Sequence, residues 1–203
     1  MPTKYSYVGK YADGGSQNSF YKVRGKGYGF KGFPNKSLAT FAHAVQSHLA
    51  PLSAPQVHSP VCRIRVPNYF VKQNKKGEMI TVTEMVLSDW GYLTEIAKPY
   101  RCPSSIDCYG DCGHCTDCGN YYLVQDLLSD MEDNGILYTD AHTKNLGYVT
   151  RDNDKLLVAI DFGRESLTPI NEKDWPEVCW DGAEEAYCNC EACCGQYEEP
   201  EYV

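Results

Sequence analysis

Residues 134–163 read NGILYTDAHTKNLGYVTRDNDKLLVAIDFG, and their pattern decides how the chain is read. A short apolar strand, Ile136–Leu137–Tyr138, opens into the polar loop DAHTKN, with Asp140 and Asn145 five positions apart. A second apolar run, Leu156–Ile160, then delivers Asp161-Phe162-Gly163. Phosphoryl transfer asks for this combination of residue types. It needs a carboxylate near the attacking hydroxyl and hard oxygen ligands that hold magnesium against the phosphates. An Asp and an Asn on one loop can point into one cleft. An Asp at the end of the neighbouring strand completes the set and keeps its charge at a strand edge, where burial is avoidable. The plainer alternative is a strand pair whose polar residues only cap turns.

Working outward, a helix is expected over YYLVQDLLSDMEDNG, with Leu123, Leu127, Leu128 and Met131 on one face and Gly135 as C-cap. Before it, residues 99–120 are dominated by Cys, Gly, Asp and Pro and have no periodic apolar face. Further back, strands are expected over 3–11, 20–24, 28–33, 61–71 and 79–87. A helix starting after Asn35 or Ser37 and ended by Pro51 separates the third from the fourth, since Leu38, Phe41, Ala42, Val45 and Leu49 recur at helical spacing. The order is strand–strand–strand–helix–strand–strand.

YTDAHTKN and IDFG resemble the catalytic loop and the metal-binding triplet of the protein-kinase-like superfamily, and the resemblance extends over roughly residues 5–163. It implies an α+β, minimal two-lobed kinase-like fold. A five-stranded antiparallel N-lobe and hinge would occupy residues 1–98, a Cys-rich insertion 99–120, and a reduced helical C-lobe with an acidic, Cys-rich tail 121–203. It implies Asp140 as catalytic base, with Asn145 and Asp161 as magnesium ligands. Gly14, Gly15 and Ser16 match the Gly-rich loop over the phosphates, and Lys31 matches the strand lysine that grips them. Glu84 and Val86 match the hinge that meets the adenine. ATP and magnesium are the expected reactants, and the acceptor is a protein hydroxyl or a small molecule.

The sequence also departs from that family. Thr139 stands where an Arg usually precedes the catalytic Asp, and His142 lies two positions after it. Residues 37–50 hold no acid to pair with Lys31, leaving Gln46, His43 or His48 as substitutes. Only 40 residues follow Gly163, and no peptide platform is legible there. A non-catalytic binding module that recruits or inhibits a macromolecule is therefore the second expectation.

Eleven cysteines are many for a chain of 203 residues, and an odd number with no apolar leader argues against a full disulfide framework. Cys108, Cys112, Cys115 and Cys118 form a tetrahedral zinc set, for which Cys102 is an alternative ligand. Cys179, Cys188, Cys190, Cys193 and Cys194 form a second group. One shared zinc site, two sites or a two-metal cluster all fit, and disulfides are the main alternative. Cys62, on a strand, reads as a packed thiol.

Net charge is −8, but residues 1–76 carry 12 Lys/Arg against one acid and residues 77–203 carry 7 against 26. The basic half suits a nucleotide or another polyanion, and a zinc protein binding nucleic acid is the third expectation. Hydrophobic content of 42% supports a packed core, and no apolar run reaches the ~18 residues of a membrane span. A cytoplasmic protein is expected.

Overall fold

The computed structural model describes residues 7–11, 19–23, 25–101 and 121–171. Gly14, Gly15, Ser16 and every cysteine except Cys62 lie outside those residues. The chain is a mixed α+β protein with two helices and mostly antiparallel strands among the described residues.

The first three strands, β1 (Tyr7–Tyr11), β2 (Ser19–Val23) and β3 (Tyr28–Phe33), form the expected meander. Helix α1 spans Lys36–Leu49. Its start is fixed by Asn35, whose side-chain oxygen accepts from Leu38 N at 2.9 Å and satisfies one of the free amides of the first turn. Phe41, Ala42, Val45 and Leu49 are buried, as their spacing requires.

A correction concerns the strand beside β3. It is β6 (Trp90–Glu95), not the segment 79–87, and the sheet order is β1-β2-β3-β6. The reason is glycine. Gly91 faces Gly32 across the ladder, and a Cβ on Gly91 would fall on the Lys31 carbonyl oxygen. The close approach that admits this strand thus removes the β-branched signal by which strands are recognised. On the outer side of β6, Val57 and Cys62 make only isolated bridges, to Thr94 and Gly91. Where five strands were expected, the described residues form a four-stranded sheet with an irregular border.

The segments expected as the fourth and fifth strands pair with each other instead. Here β4 (Arg65–Gln73) and β5 (Met79–Leu87) form a separate two-stranded hairpin, closed by Gly77 at φ 86°. Glu84 is exposed and Val86 half-buried on this hairpin, so neither lies on the strand that continues from the Lys31 sheet.

In the second half, β7 (Lys98–Pro99) pairs with β9 (Leu146–Arg151), which forms a hairpin with β10 (Asp154–Ala159). Asp152 and Asn153, at φ 50° and 73°, make the tight turn, a backbone that short polar residues tolerate. The strands β8 (Ile136–Tyr138) and β11 (Leu167–Pro169) pair on either side of the polar loop. Helix α2 (Tyr121–Asp133) buries Val124, Leu127 and Met131, with Leu128 beside them, while Leu123 is 46% exposed. Its apolar stripe is thus displaced by one residue from the expected face. Gly135, at φ 83°, ends it as expected.

One apolar cluster joins the halves. Phe41, Val45 and Leu49 of α1, Tyr92 of β6, Val124 and Met131 of α2, and Leu146 and Phe162 all belong to it. At about 1.5–3 kcal/mol per buried large side chain, this shared core ties the sheet to the polar loop. Arg151 adds a polar tie. Its guanidinium donates to the carbonyls of Ala50, Pro51 and Ala54 in the turn after α1, and reaches Glu95 Oε2 at 3.0 Å.

Candidate active site

The side chain of Lys31 leaves β3 on the α1 face, because alternation sends Phe30 to a second, smaller cluster on the other face. Its Nζ donates to the Ile160 carbonyl at 2.8 Å and lies 3.7 Å from Asp161 Oδ1. The aromatic rings of Phe33 and Phe162 flank it, with centroids 5.4 and 5.5 Å away. Burial pushes the ammonium below its ordinary range, while the Asp161 carboxylate acts the other way.

None of the three expected substitutes for a helix acid holds Lys31. Gln46 is buried against β6, where it donates to Pro55 O and Thr94 Oγ1 and accepts from the Tyr92 hydroxyl at 2.8 Å. A buried amide must satisfy its own groups first, and these neutral partners do so. His43 bonds the Ser59 carbonyl and His48 the Asn134 carbonyl. The anion that faces Lys31 comes instead from Asp161, 130 positions further along, beside the Ile160 carbonyl that the ammonium also meets.

The polar loop is ordered by its own hydrogen bonds. Asn145 Nδ2 donates to Asp140 Oδ2 at 2.6 Å and to the Asp140 carbonyl at 3.2 Å. The His142 amide donates to Asp140 O, and the Asn145 amide to His142 O. The Ile160 amide donates to the Asn145 carbonyl at 2.9 Å, which fixes the loop against the strand that carries Asp161. Asn145 is buried, whereas the Asp140 side chain keeps 45% of its surface open to solvent. Asp140 is thus held by a buried neighbour and remains open to solvent.

Two residues that the sequence did not single out for these roles also face Asp140. Ser166, buried on the short 3-10 turn Arg164–Ser166, donates its hydroxyl to Asp140 Oδ2 at 3.3 Å. Nothing in the local sequence marks it, since the contact depends on β11 folding back beside β8. His142 Nδ1 accepts from the Lys144 amide at 3.2 Å, which leaves the proton of a neutral ring on Nε2, 3.4 Å from Asp140 Oδ1. Beneath the site, Tyr138 and Tyr92 are buried. Loss of solvent first, and then the negative charge of Asp161, holds both phenols well above their usual range, so they stay neutral.

The structure therefore gathers Lys31, Asp140, Asn145 and Asp161 and leaves Glu84 and Val86 on the hairpin. Among the described residues, no three His, Cys, Asp or Glu side chains are grouped to hold a metal ion, and no helix is long and apolar enough to cross a membrane. Asn145 and Asp161 are oxygen donors of the type magnesium takes, and magnesium needs few of them because phosphates and water complete its octahedron. With Nδ2 engaged on Asp140, the Asn145 amide oxygen is the atom left for a cation. No protein-family model matches the chain, and no curated protein is similar to it.

Proposed function

We propose that the protein is an ATP- and magnesium-dependent phosphotransferase of the protein-kinase-like superfamily, acting on a protein hydroxyl. The observation that carries the reading is the convergence of three distant segments. A sheet lysine stands 3.7 Å from a strand-end aspartate, and that strand is hydrogen-bonded to a loop whose Asp–Asn pair is 2.6 Å apart. A pair of strands with merely capped turns gives no reason for a buried lysine to face that loop.

In this reading Lys31 holds the α- and β-phosphates. Asp140 takes the proton of the acceptor hydroxyl as its oxygen bonds to the γ-phosphorus and the bond to the β-phosphate oxygen breaks, releasing ADP. Asn145 and Asp161 hold magnesium, which when bound neutralises charge on the phosphates. Asn145 and Ser166 orient the Asp140 carboxylate. Zinc is proposed at Cys102, Cys108, Cys112, Cys115 and Cys118 and at Cys179, Cys188, Cys190, Cys193 and Cys194 as a structural staple, on their spacing alone.

A second reading, a non-catalytic nucleotide-binding or recruiting module, is favoured by the absence of any acid on α1. A γ-phosphate transfer assay with magnesium, comparing wild type with Asp161→Ala, separates the two. Transfer by wild type, to itself or to a lysate protein, that Asp161→Ala abolishes supports the enzyme. Magnesium-dependent ATP binding without transfer supports the module, and neither binding nor transfer overturns both.

A further inference from the structure

The β4–β5 hairpin is regular over nine cross-strand pairs, yet among the described residues it bonds to no other strand. Its base is fixed by Ser88, whose amide donates to Ile64 O and whose hydroxyl accepts from Ile64 N. Its tip is closed by Asn74, whose side-chain oxygen accepts from the amides of Lys76 and Glu78. An isolated two-stranded ribbon is marginal in water and gains stability when one face is covered.

Register and alternation assign the faces. One carries Val66, which is buried, the half-buried Phe70, Val82 and Val86, and Ile80, with Asn68, Lys72 and Glu84 among them. The other carries Tyr69, Val71, Met79, Met85 and Leu87, which are 55%, 59%, 68%, 48% and 54% exposed in the folded chain. Between Arg65 and Gln73 at its ends, this second face holds no charged side chain. At about half exposure each, these side chains leave on the order of 500 Å² of apolar surface uncovered, near the upper end of what a monomer ordinarily carries.

We infer that this face is an interface with a second copy of the same chain, the two hairpins stacking face to face about a two-fold axis parallel to the strands. Two features favour a copy of itself over another partner. The first is shape. Tyr69 lies opposite Thr83 and Val71 opposite Thr81, so a bulky ridge on β4 runs beside a shallow stretch of β5 bounded by Met79 and Met85. A two-fold parallel to the strands lays the ridge of each copy in the shallow stretch of the other, the self-complementarity an isologous interface requires. The second is area. Stacking two such faces removes about 1,000 Å² in total, the lower bound for a specific interface, so a weak, concentration-dependent dimer is expected. A face whose charge is confined to Arg65 at one end also gives a nucleic acid or an acidic peptide little to hold. The inference is independent of the catalytic reading, since none of these residues belongs to the site.

Sedimentation equilibrium of the full-length protein over a micromolar to submillimolar series tests it. The weight-average mass should approach twice the monomer's and should persist in high salt, because apolar burial is not screened. Val71→Asp puts a charge on the ridge, Thr83→Arg fills the shallow stretch, and each should weaken self-association by at least about tenfold. Both positions are exposed, so far-ultraviolet circular dichroism should match wild type. Lys72→Asp, on the opposite face, should leave dimerisation unchanged. A wild type that stays monomeric overturns the inference, including the case in which the hairpin captures another protein or a nucleic acid. A dimer that survives both Val71→Asp and Thr83→Arg overturns it as well.

Discussion

Lys31 Nζ lies 3.7 Å from Asp161 Oδ1 while donating to the carbonyl of the residue before it, Ile160, at 2.8 Å. A lysine from the N-terminal sheet is thereby held by the strand end that follows the polar loop, and no acid of α1 takes part.

That arrangement predicts an uncoupling of stability from binding. Burial lowers the pKa of Lys31, so its charge costs the folded state more than the unfolded one. The cost is full below the folded-state pKa and fades as pH rises from there towards the unfolded value near 10.5. Lys31→Met should therefore leave stability unchanged or raise it by about 1 kcal/mol near neutral pH, with the advantage shrinking in alkaline solution. Denaturant titrations at several pH values check this. If the protein binds ATP as proposed, its affinity, read by calorimetry, should fall at least about tenfold in the same variant.

Asn145→Ala removes the 2.6 Å bond to Asp140 but keeps the backbone tie to Ile160. It should cost about 1–2 kcal/mol of stability. If the proposed activity is present, transfer should fall about 100-fold or more, since an unoriented base and a lost cation ligand act together. Parallel unfolding and turnover measurements separate the two losses.

Arg151 spends its guanidinium on three carbonyls of the turn after α1 and on Glu95. Arg151→Lys should recover little of this, because an ammonium cannot span a fork of acceptors. A loss of about 2–4 kcal/mol is expected in chemical denaturation for Arg151→Lys and Arg151→Ala alike. Glu95→Gln should cost less than about 1 kcal/mol, because the carbonyls still hold the arginine.

Gly91→Ala tests the pairing of β6 with β3. Its methyl group would strike the Lys31 carbonyl, so the strands must part at the residue that carries the site's lysine. A destabilisation of about 3 kcal/mol or more is expected and, if the proposed nucleotide binding is present, its loss as well. Soluble, fully stable Gly91→Ala protein would contradict the register.

Much of the local structure was legible. Asn35 and the spacing of Phe41, Val45 and Leu49 gave α1 to within a residue, because capping and amphipathic periodicity are local properties. Tyr28–Phe33 and Met79–Leu87 emerged with the bounds expected of them. For the site, the Asp-x4-Asn loop and the strand ending in Asp161 could be named in advance, since their spacing is itself the chemical requirement.

Partner choice was not legible. Residues 79–87 have the stronger strand composition, yet Trp90–Glu95 won the place beside β3, because only a strand with Gly91 can approach the Lys31 backbone so closely. The partner of Lys31 was likewise a tertiary matter. Gln46 sits on the right helix, but Tyr92, Thr94 and Pro55 claim it, and the carboxylate arrives from a residue 130 positions away along the chain. The sequence by itself marked the polar residues of the Asp-x4-Asn loop and located α1, α2 and most of the longer strands, though not Trp90–Glu95. Only the tertiary structure decided which strand borders which, and therefore which charge meets Lys31, because contacts between distant segments depend on packing that no local pattern records.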